Sequence, residues 1–214
     1  MDFTIRAKIG GVNSRDYATH IGLEIDGHPY SVKIPFRSGS ADDDMLNEVV
    51  YSELGLKLGF NVTQSKLISP EDVMRIKRAA QQKNIPFRPK ENSSGVLIRW
   101  EKDCVPFSHL DIYPEKFSED FVKKAFLSLG EVHAFCYNFG IRDRHDGNYL
   151  VNKKGVVFAI DFEDVRPYSV VEDDFDIDIS WNGNLEIFLE GIKNGEKKLG
   201  KLLKRPYPGV ERGR

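Results

Sequence analysis

The chain has 214 residues, of which 31 are basic and 33 are acidic, so its formal net charge is −2. Because this balance creates no strong field for nucleic acid or an anionic membrane, we predict no nucleic-acid partner. No apolar run approaches the ~18 residues of a membrane span, so we also predict no integral membrane contact. Cys104 and Cys136 lack the spacing of a metal site or a disulfide framework, and we expect buried free thiols in a cytoplasmic protein.

The first hundred residues are predicted to form mainly strands, with two helices. Alternation of polar and apolar residues predicts the strands, and Asp26-Gly27 is typical of a hairpin turn. Apolar residues at helical spacing, Ser69 as an N-cap before Pro70, and Gly59 as a terminator predict the helices. The expected elements are strands at 4–9, 20–25, 30–36 and 95–101, helices at 42–59 and from Ser69 to near Asn84, and a loop at 85–94.

The second half of the chain is predicted to be mainly helical around one hairpin. Apolar residues recur at steps of three and four over residues 121–139, with a serine before this run and a glycine after it, which predicts a long helix. A loop follows, and residues 148–152 and 156–162 then form a hairpin around a Lys-Lys-Gly turn. The remainder is predicted to be loop with one or two helices.

Residues 142–161, RDRHDGNYLVNKKGVVFAID, contain polar residues at a spacing typical of phosphoryl-transfer sites in protein-kinase-like folds. Asp143 lies five positions before Asn148, and Asn148 lies thirteen positions before Asp161. Side-chain oxygens of Asn and Asp are hard ligands that suit Mg²⁺, so Asn148 and Asp161 are the candidate metal ligands. The carboxylate of Asp143 is suited to receive or orient the proton of an attacking hydroxyl.

Phosphoryl transfer from ATP also needs a cation for the α- and β-phosphates and a carboxylate that fixes this cation. Lys33 on the third predicted strand and Glu48 on the next helix occur in the expected order, with Glu53 as an alternative carboxylate. Taken singly, Lys33 is also consistent with a solvated strand lysine and Glu48 with a surface helix residue. Their position before residues 143–161 favours the functional ion pair.

The turn between the first two strands is a second candidate for phosphate binding. Gly10, Gly11 and Ser14 lie in this turn, and the backbone N–H groups of a flexible turn can contact phosphates. Every hairpin needs a turn, however, and the segment is not a complete Gly-x-Gly-x-x-Gly motif. Both interpretations therefore stay open.

Two histidines and an arginine near the motif have different expected roles. We expect His145 to act directly, as a base or as a phosphate ligand, with a structural hydrogen bond as the alternative. Arg144 is more typical of a residue that braces such a loop than of one that touches substrate. His133, on the long predicted helix, is expected to be a packing or surface residue.

DRHDGN (143–148) and AIDFED (159–164) resemble the D-R-H-x-x-N and D-F-G motifs of the phosphatidylinositol 3/4-kinase-like superfamily. This superfamily includes lipid kinases, large protein kinases and, more distantly, HipA-type protein kinases, whose Asn-Glu helix is similar to residues 47–62. The resemblance covers roughly residues 1–165, and Glu163 replaces the glycine of D-F-G. It implies the following roles: Lys33 for the ATP phosphates, Glu48 as its partner, Asp143 as the catalytic aspartate, His145 as an assisting or basic histidine, and Asn148 and Asp161 as Mg²⁺ ligands.

The predicted fold is α+β, a two-lobed protein-kinase-like fold with the ligand in the cleft between the lobes. A β-rich N-terminal lobe over 1–101 would hold the nucleotide phosphates, and a mainly helical, trimmed C-terminal lobe over 102–214 would carry the catalytic residues. The predicted function is an ATP- and Mg²⁺-dependent kinase that acts on Ser or Thr of a protein substrate, itself included. Acidic residues within 164–178 disfavour an anionic headgroup as acceptor. The alternatives are a small-molecule or phosphoinositide kinase of the same fold and a nucleotide-binding pseudokinase scaffold.

Overall fold

The computed structural model describes residues 2–8, 18–35, 41–85, 87, 89, 91–101, 103–142, 144–162, 165 and 184–202. Over these ranges the protein is α+β, with mostly antiparallel sheets and five α-helices. The chain divides into two compact units, Met1–Glu53 with Thr63–Lys102 and Leu54–Val62 with Asp103–Arg214. No helix within the described ranges has both the length and the apolar character needed to cross a membrane.

The first unit is built on a five-stranded antiparallel sheet. Its elements are β1 (Thr4–Lys8), β2 (Ala18–Ile25), β3 (His28–Pro35), α1 (Ala41–Lys57, with its last turn in the second unit), β4 (Ser65–Ile68), α2 (Pro70–Gln82) and β5 (Gly95–Arg99). The strand order is β1-β2-β3-β5-β4. All predicted elements of this region are present with slightly shifted ends. Strand β4 is not predicted from sequence, because its four residues follow a buried-exposed-exposed-buried pattern rather than an alternation.

The two faces of this sheet are covered by different helices. The register pairs Lys33 with Val96 and Ser65 with Ile98, and residues opposite each other point to the same face. Val96 and Ile98 pack against Met45 of α1, so Lys33 and Ser65 lie on the face that α1 covers. The opposite face forms the larger core with α2, which consists of Ile5, Ile21, Leu23, Val32, Ile34, Ile68, Val73, Ile76, Ala80, Phe87 and Leu97.

Helix α1 buries only part of the face that its hydrophobic pattern predicts. The apolar stripe expected from sequence includes Met45, which is buried, but also Leu46 and Val50, which are 50% and 48% exposed. Glu48 and Ser52, four positions apart on the helix, are 0% exposed instead. Burial of a carboxylate and a hydroxyl costs free energy unless both are hydrogen-bonded or paired, so their contacts must compensate.

The second unit combines a three-stranded antiparallel sheet with two long helices. Its elements are β6 (Cys104–Pro106), α3 (His109–Ile112), α4 (Glu119–Asn138), β7 (Tyr149–Asn152), β8 (Val157–Ala159) and α5 (Leu185–Leu199), with 3₁₀ turns at Pro114–Lys116, Asp146–Asn148 and Gly200–Leu202. The predicted long helix is confirmed as α4: the hydroxyl of Ser118 accepts the N–H of Phe121 at 3.3 Å, and Gly140 beyond its end has a φ of 68°. Strand β8 ends at Ala159, before the predicted end at residue 162.

Helices α4 and α5 pack with their backbones in close contact. Gly130 of α4 faces Gly191 of α5, and a Cβ atom at Gly191 would lie 3.0 Å from the Cα atom of Gly130; farther along α5, Gly195 lies against Glu131 and Ala134. An ion pair between Glu131 and Lys198 also joins the two helices. The surrounding core is rich in fully buried aromatic side chains, which are Phe107, Phe126, Phe135, Tyr149, Phe162 and Phe188.

Candidate functional site

Lys33 and Glu48 form a buried ion pair in the first unit. The Nζ atom of Lys33 lies 3.9 Å from Oε2 of Glu48, and the two side chains are 6% and 0% exposed. This distance is that of paired charges rather than of a direct hydrogen bond. Glu53, the alternative carboxylate, is exposed. Glu48 is therefore the carboxylate that the fold brings to Lys33, and neither member of the pair is a solvated surface residue.

A buried ion pair of this kind is weak evidence for stability and better evidence for a function. Removing two charges from water offsets most of their attraction, so apolar side chains of similar size would often serve the fold as well. The pair does place an opposite charge 3.9 Å from the Lys33 ammonium, on the face of the sheet that α1 covers. The hydroxyl of Ser65 donates to Oε1 of Glu48 at 3.3 Å. Ser65 cannot be identified from sequence, because its strand carries no periodic signal.

Asn148 and Asp161 lie at the same end of the β7–β8 hairpin in the second unit. Tyr149 pairs with Ala159, and the N–H of Ile160 donates to the carbonyl oxygen of Asn148 at 3.0 Å. Asn148 is buried and Asp161, one residue beyond Ile160, is half-buried. The antiparallel register thus brings the backbones of these two oxygen-bearing residues close together, although they are thirteen positions apart in sequence. A shared Mg²⁺ site requires such proximity.

Arg144 braces the backbone on which Asp161 stands. Its guanidinium donates to the carbonyl oxygens of Arg142 at 3.0 Å, of Ile160 at 2.9 Å, and of Asp161. The side chain is buried, with the rings of Tyr149 and Phe162 each 5.8 Å from its central carbon. Asp161 has a φ of 64°, in the left-handed region that few residues other than glycine adopt. The contacts of Arg144 hold this unusual conformation, in agreement with the bracing role expected from sequence.

His145 begins the 3₁₀ turn that carries Asn148. The N–H of Gly147 donates to Nδ1 of His145 at 3.0 Å, so the neutral ring carries its proton on Nε2. Nδ1 also lies 3.9 Å from a carboxylate oxygen of Asp146. In this tautomer Nε2 is a hydrogen-bond donor rather than a base.

Several predicted site residues lie outside the described part of the chain. These are Asp143, the turn residues Gly10, Gly11 and Ser14, and Glu163. In the described ranges no group of three or more His, Cys, Asp or Glu side chains converges. The two residues proposed to bind Mg²⁺ are one asparagine and one aspartate. Because a group of the kind described contains only His, Cys, Asp or Glu, its absence does not bear on Asn148 and Asp161.

Comparison with models of known protein families gives no match, and comparison with characterised proteins gives none either. The resemblance to a kinase superfamily therefore stays a prediction, which depends on the motifs and on the geometry described above.

His133 and Tyr149 form a buried pair close to Arg144. Nδ1 of His133 lies 2.9 Å from the Tyr149 hydroxyl, and the His133 side chain is 0% exposed. His133 is thus a packing residue, which is one of the two roles expected from sequence. Both cysteines are free. Burial raises the pKa of the Cys136 thiol, whereas Cys104 is only half-buried, so the prediction of two buried thiols is correct for Cys136 alone.

Acidification is expected to destabilise the protein through His133. Burial and, to a smaller extent, the positive charge of Arg144 lower the pKa of His133 to about 3, while an unfolded histidine has a pKa of about 6.5. Between these values the unfolded chain binds a proton that the folded protein does not, so stability falls as the pH falls. Between pH 7 and pH 5, we expect the free energy of unfolding of the wild-type protein to fall by about 2 kcal/mol more than that of a His133→Gln variant.

Urea unfolding of both proteins at pH 7 and pH 5 measures this difference. The glutamine variant is a suitable reference because its amide can still hydrogen-bond the Tyr149 hydroxyl and the carboxylates titrate in both proteins alike. Equal pH dependence in the two proteins would show that His133 is protonated in the folded state.

Proposed function

We propose that the protein is an ATP- and Mg²⁺-dependent kinase that transfers the γ-phosphate to a Ser or Thr hydroxyl of a protein. The observation that carries this proposal is the buried Lys33–Glu48 pair, formed between the third strand and the helix that follows it. Protein kinases use a strand lysine, fixed by a helix glutamate, to contact the α- and β-phosphates of ATP. The α+β architecture, with a five-stranded sheet in one unit and two long helices in the other, is compatible with the two-lobed kinase fold that this proposal includes.

The hairpin of the second unit supports the metal-binding half of the proposal. Asn148 and Asp161 offer one amide and one carboxylate oxygen at one end of the hairpin, and this donor set fits Mg²⁺. The ion, when bound, neutralises charge on the phosphates of ATP. Asp161 is braced by Arg144, so its position is defined before nucleotide binds.

The proposed reaction is an in-line transfer with a simple proton balance. The acceptor oxygen forms a bond to the γ-phosphorus, the bond from that phosphorus to the bridging oxygen of ADP breaks, and Asp143 takes the hydroxyl proton. His145 donates a hydrogen bond from Nε2 to a phosphate oxygen, in keeping with the tautomer that the Gly147 contact requires. Asp143 rather than His145 is thus the proposed base.

The acceptor is proposed from composition alone. The chain has Asp164, Glu172, Asp173, Asp174, Asp176 and Asp178 after the second motif, with Arg166 as a basic residue among them. Such a segment would repel the anionic headgroup of a phosphoinositide and attract a basic protein substrate. The proposed compartment is the cytoplasm, where ATP and Mg²⁺ are supplied and free cysteines stay reduced.

The test is incubation of the purified protein with Mg²⁺ and γ-phosphate-labelled ATP, followed by measurement of label on protein and of released phosphate. We expect the wild-type protein to incorporate label and Lys33→Met to lose about 100-fold in rate, since the variant lacks the phosphate-binding cation. Lys66→Met is the matched control, because Lys66 is an exposed lysine on a strand of the same sheet.

Three results would be informative when this experiment is repeated with a small alcohol as acceptor and accompanied by a measurement of ATP–Mg²⁺ binding. Equal activity of Lys33→Met and wild type would place the phosphate contact elsewhere. Transfer to a small alcohol but not to protein would favour a small-molecule kinase of the same fold. Binding of ATP–Mg²⁺ without any transfer would identify a pseudokinase scaffold.

A further inference from the structure

A chain of buried hydrogen bonds connects β4 to the ion pair of the first unit. The hydroxyl of Ser52 donates to the carbonyl oxygen of Thr63 at 2.6 Å and accepts the N–H of Ser65 at 2.9 Å. The hydroxyl of Ser65 then donates to Oε1 of Glu48 at 3.3 Å. The three side chains that take part in these hydrogen bonds are all buried, with exposures of 0% for Ser52 and Glu48 and 3% for Ser65.

The direction of each hydrogen bond follows from the number of protons available. A serine hydroxyl has one proton to donate. Ser52 uses its proton on a backbone carbonyl, so it meets Ser65 only as an acceptor. The backbone N–H of Ser65 is the donor in that contact, so the hydroxyl proton of Ser65 is available to the Glu48 carboxylate. An ionised carboxylate can only accept hydrogen bonds, and Ser65 therefore meets it as a donor.

The two oxygens of the Glu48 carboxylate have different partners. Oε1 receives the Ser65 hydroxyl, and Oε2 faces the Lys33 ammonium. A glutamate has three side-chain torsions, and the ion pair at 3.9 Å does not by itself restrain them strongly. A second contact on the other oxygen fixes the plane of the carboxylate. Ser52 and Glu48, four positions apart, also lie on one side of α1, so both contacts restrain the helix against the sheet.

We propose that Ser65 is a positioning residue that orients Glu48 toward Lys33, with Ser52 holding Ser65 in place. This inference rests on the proposed function, because the position of Lys33 matters for phosphate binding only in a nucleotide-binding protein. Its consequence is that β4, a four-residue strand, sets the ATP affinity of the site through the carboxylate. Ser65 acts through Glu48 and need not touch nucleotide itself.

The test is a double-mutant cycle on ATP–Mg²⁺ affinity in the full-length chain. We expect Ser65→Ala to raise the dissociation constant about fivefold, the size of one lost hydrogen bond. In a Glu48→Gln background the same substitution should have no further effect, because the carboxylate that Ser65 orients is gone. Ser65→Thr, which keeps the hydroxyl, should bind ATP close to wild type. The matched control is Ser31→Ala, a buried serine that faces the same side of the sheet opposite Ile98.

Thermal unfolding of every variant, measured in the same buffer, separates loss of affinity from loss of folded protein. An affinity of Ser65→Ala equal to that of Ser31→Ala would overturn the inference, as would additive effects of Ser65→Ala and Glu48→Gln. If Lys33→Met weakens ATP binding in either case, the proposed function survives this failure. Unchanged binding by Lys33→Met would instead overturn the proposed function and the positioning role together.

Discussion

Replacing Asp161 by asparagine is expected to reduce Mg²⁺-dependent phosphoryl transfer by about 1000-fold or more while the protein stays folded. The substitution removes the negative charge that Asp161 would offer to the proposed metal at the end of the β7–β8 hairpin and keeps the shape of the side chain. Asn tolerates the left-handed region as well as Asp does, so the φ of 64° at this position is no obstacle. The hydrogen bonds from Arg144 go to the backbone carbonyls of Ile160 and Asp161, and they should persist.

The chain offers a closely matched control for this experiment in Asp103. This residue also has a positive φ, 58°, and its side chain is 65% exposed, with an oxygen 3.1 Å from Nζ of Lys153. Asp103→Asn therefore makes the same chemical change in the same backbone conformation, away from the proposed metal ligands. We expect it to retain wild-type turnover. Rates measured over a titration of Mg²⁺, with urea unfolding of both variants, decide the matter: wild-type turnover by Asp161→Asn would mean that Asp161 is not a metal ligand.

Elements with a strong period or a clear turn signal can be predicted from this sequence, whereas short elements that have neither cannot. The long helix α4 follows from its apolar spacing and its serine cap, and the β2–β3 hairpin follows from Asp26-Gly27, which have φ values of 49° and 71°. Strands β4 and β6 and helix α3 have only four, three and four residues. Such segments are too short to show a repeated period, and the two strands depend on hydrogen bonds to distant strands that the local sequence does not encode.

Helix α1 shows why part of the candidate site is hidden from hydrophobic patterning. The sequence pattern favours burial of Leu46 and Val50, but the helix turns Glu48 and Ser52 toward the sheet. These polar residues contradict the rule that apolar side chains occupy the buried face of a helix. Such conflicts are expected where function rather than stability selects the residue. The pairing of Lys33 with Glu48 can be predicted from their order along the chain and from the chemistry expected of a phosphate-binding site. The hydrogen bonds of Ser52 and Ser65 cannot be predicted, because these residues become neighbours only when β4 joins the sheet.

The contact between α4 and α5 is where we expect the largest loss of stability from a small substitution. Gly191→Ala should lower the free energy of unfolding by about 2–3 kcal/mol, although alanine usually stabilises a helix by about 1 kcal/mol relative to glycine. A Cβ atom at Gly191 would overlap the carbonyl oxygen of Leu127 and lie 3.0 Å from both the backbone nitrogen of Glu131 and the Cα atom of Gly130. These are backbone atoms within α4, which cannot move aside as a flexible side chain can, so α5 must move away from α4.

Lys193→Ala, at an exposed position two residues along α5, serves as the control for helix propensity. It introduces alanine into the same helix without a contact to α4, and we expect a change within about 0.5 kcal/mol. Gly130→Ala should destabilise like Gly191→Ala, because its Cβ atom would overlap the carbonyl oxygen of Phe188 from the opposite side. Chemical denaturation of the three variants measures these differences. If Gly191→Ala is as stable as the wild-type protein, the backbones of α4 and α5 must lie farther apart in solution, because the close contact at Gly191 leaves no room for a Cβ atom.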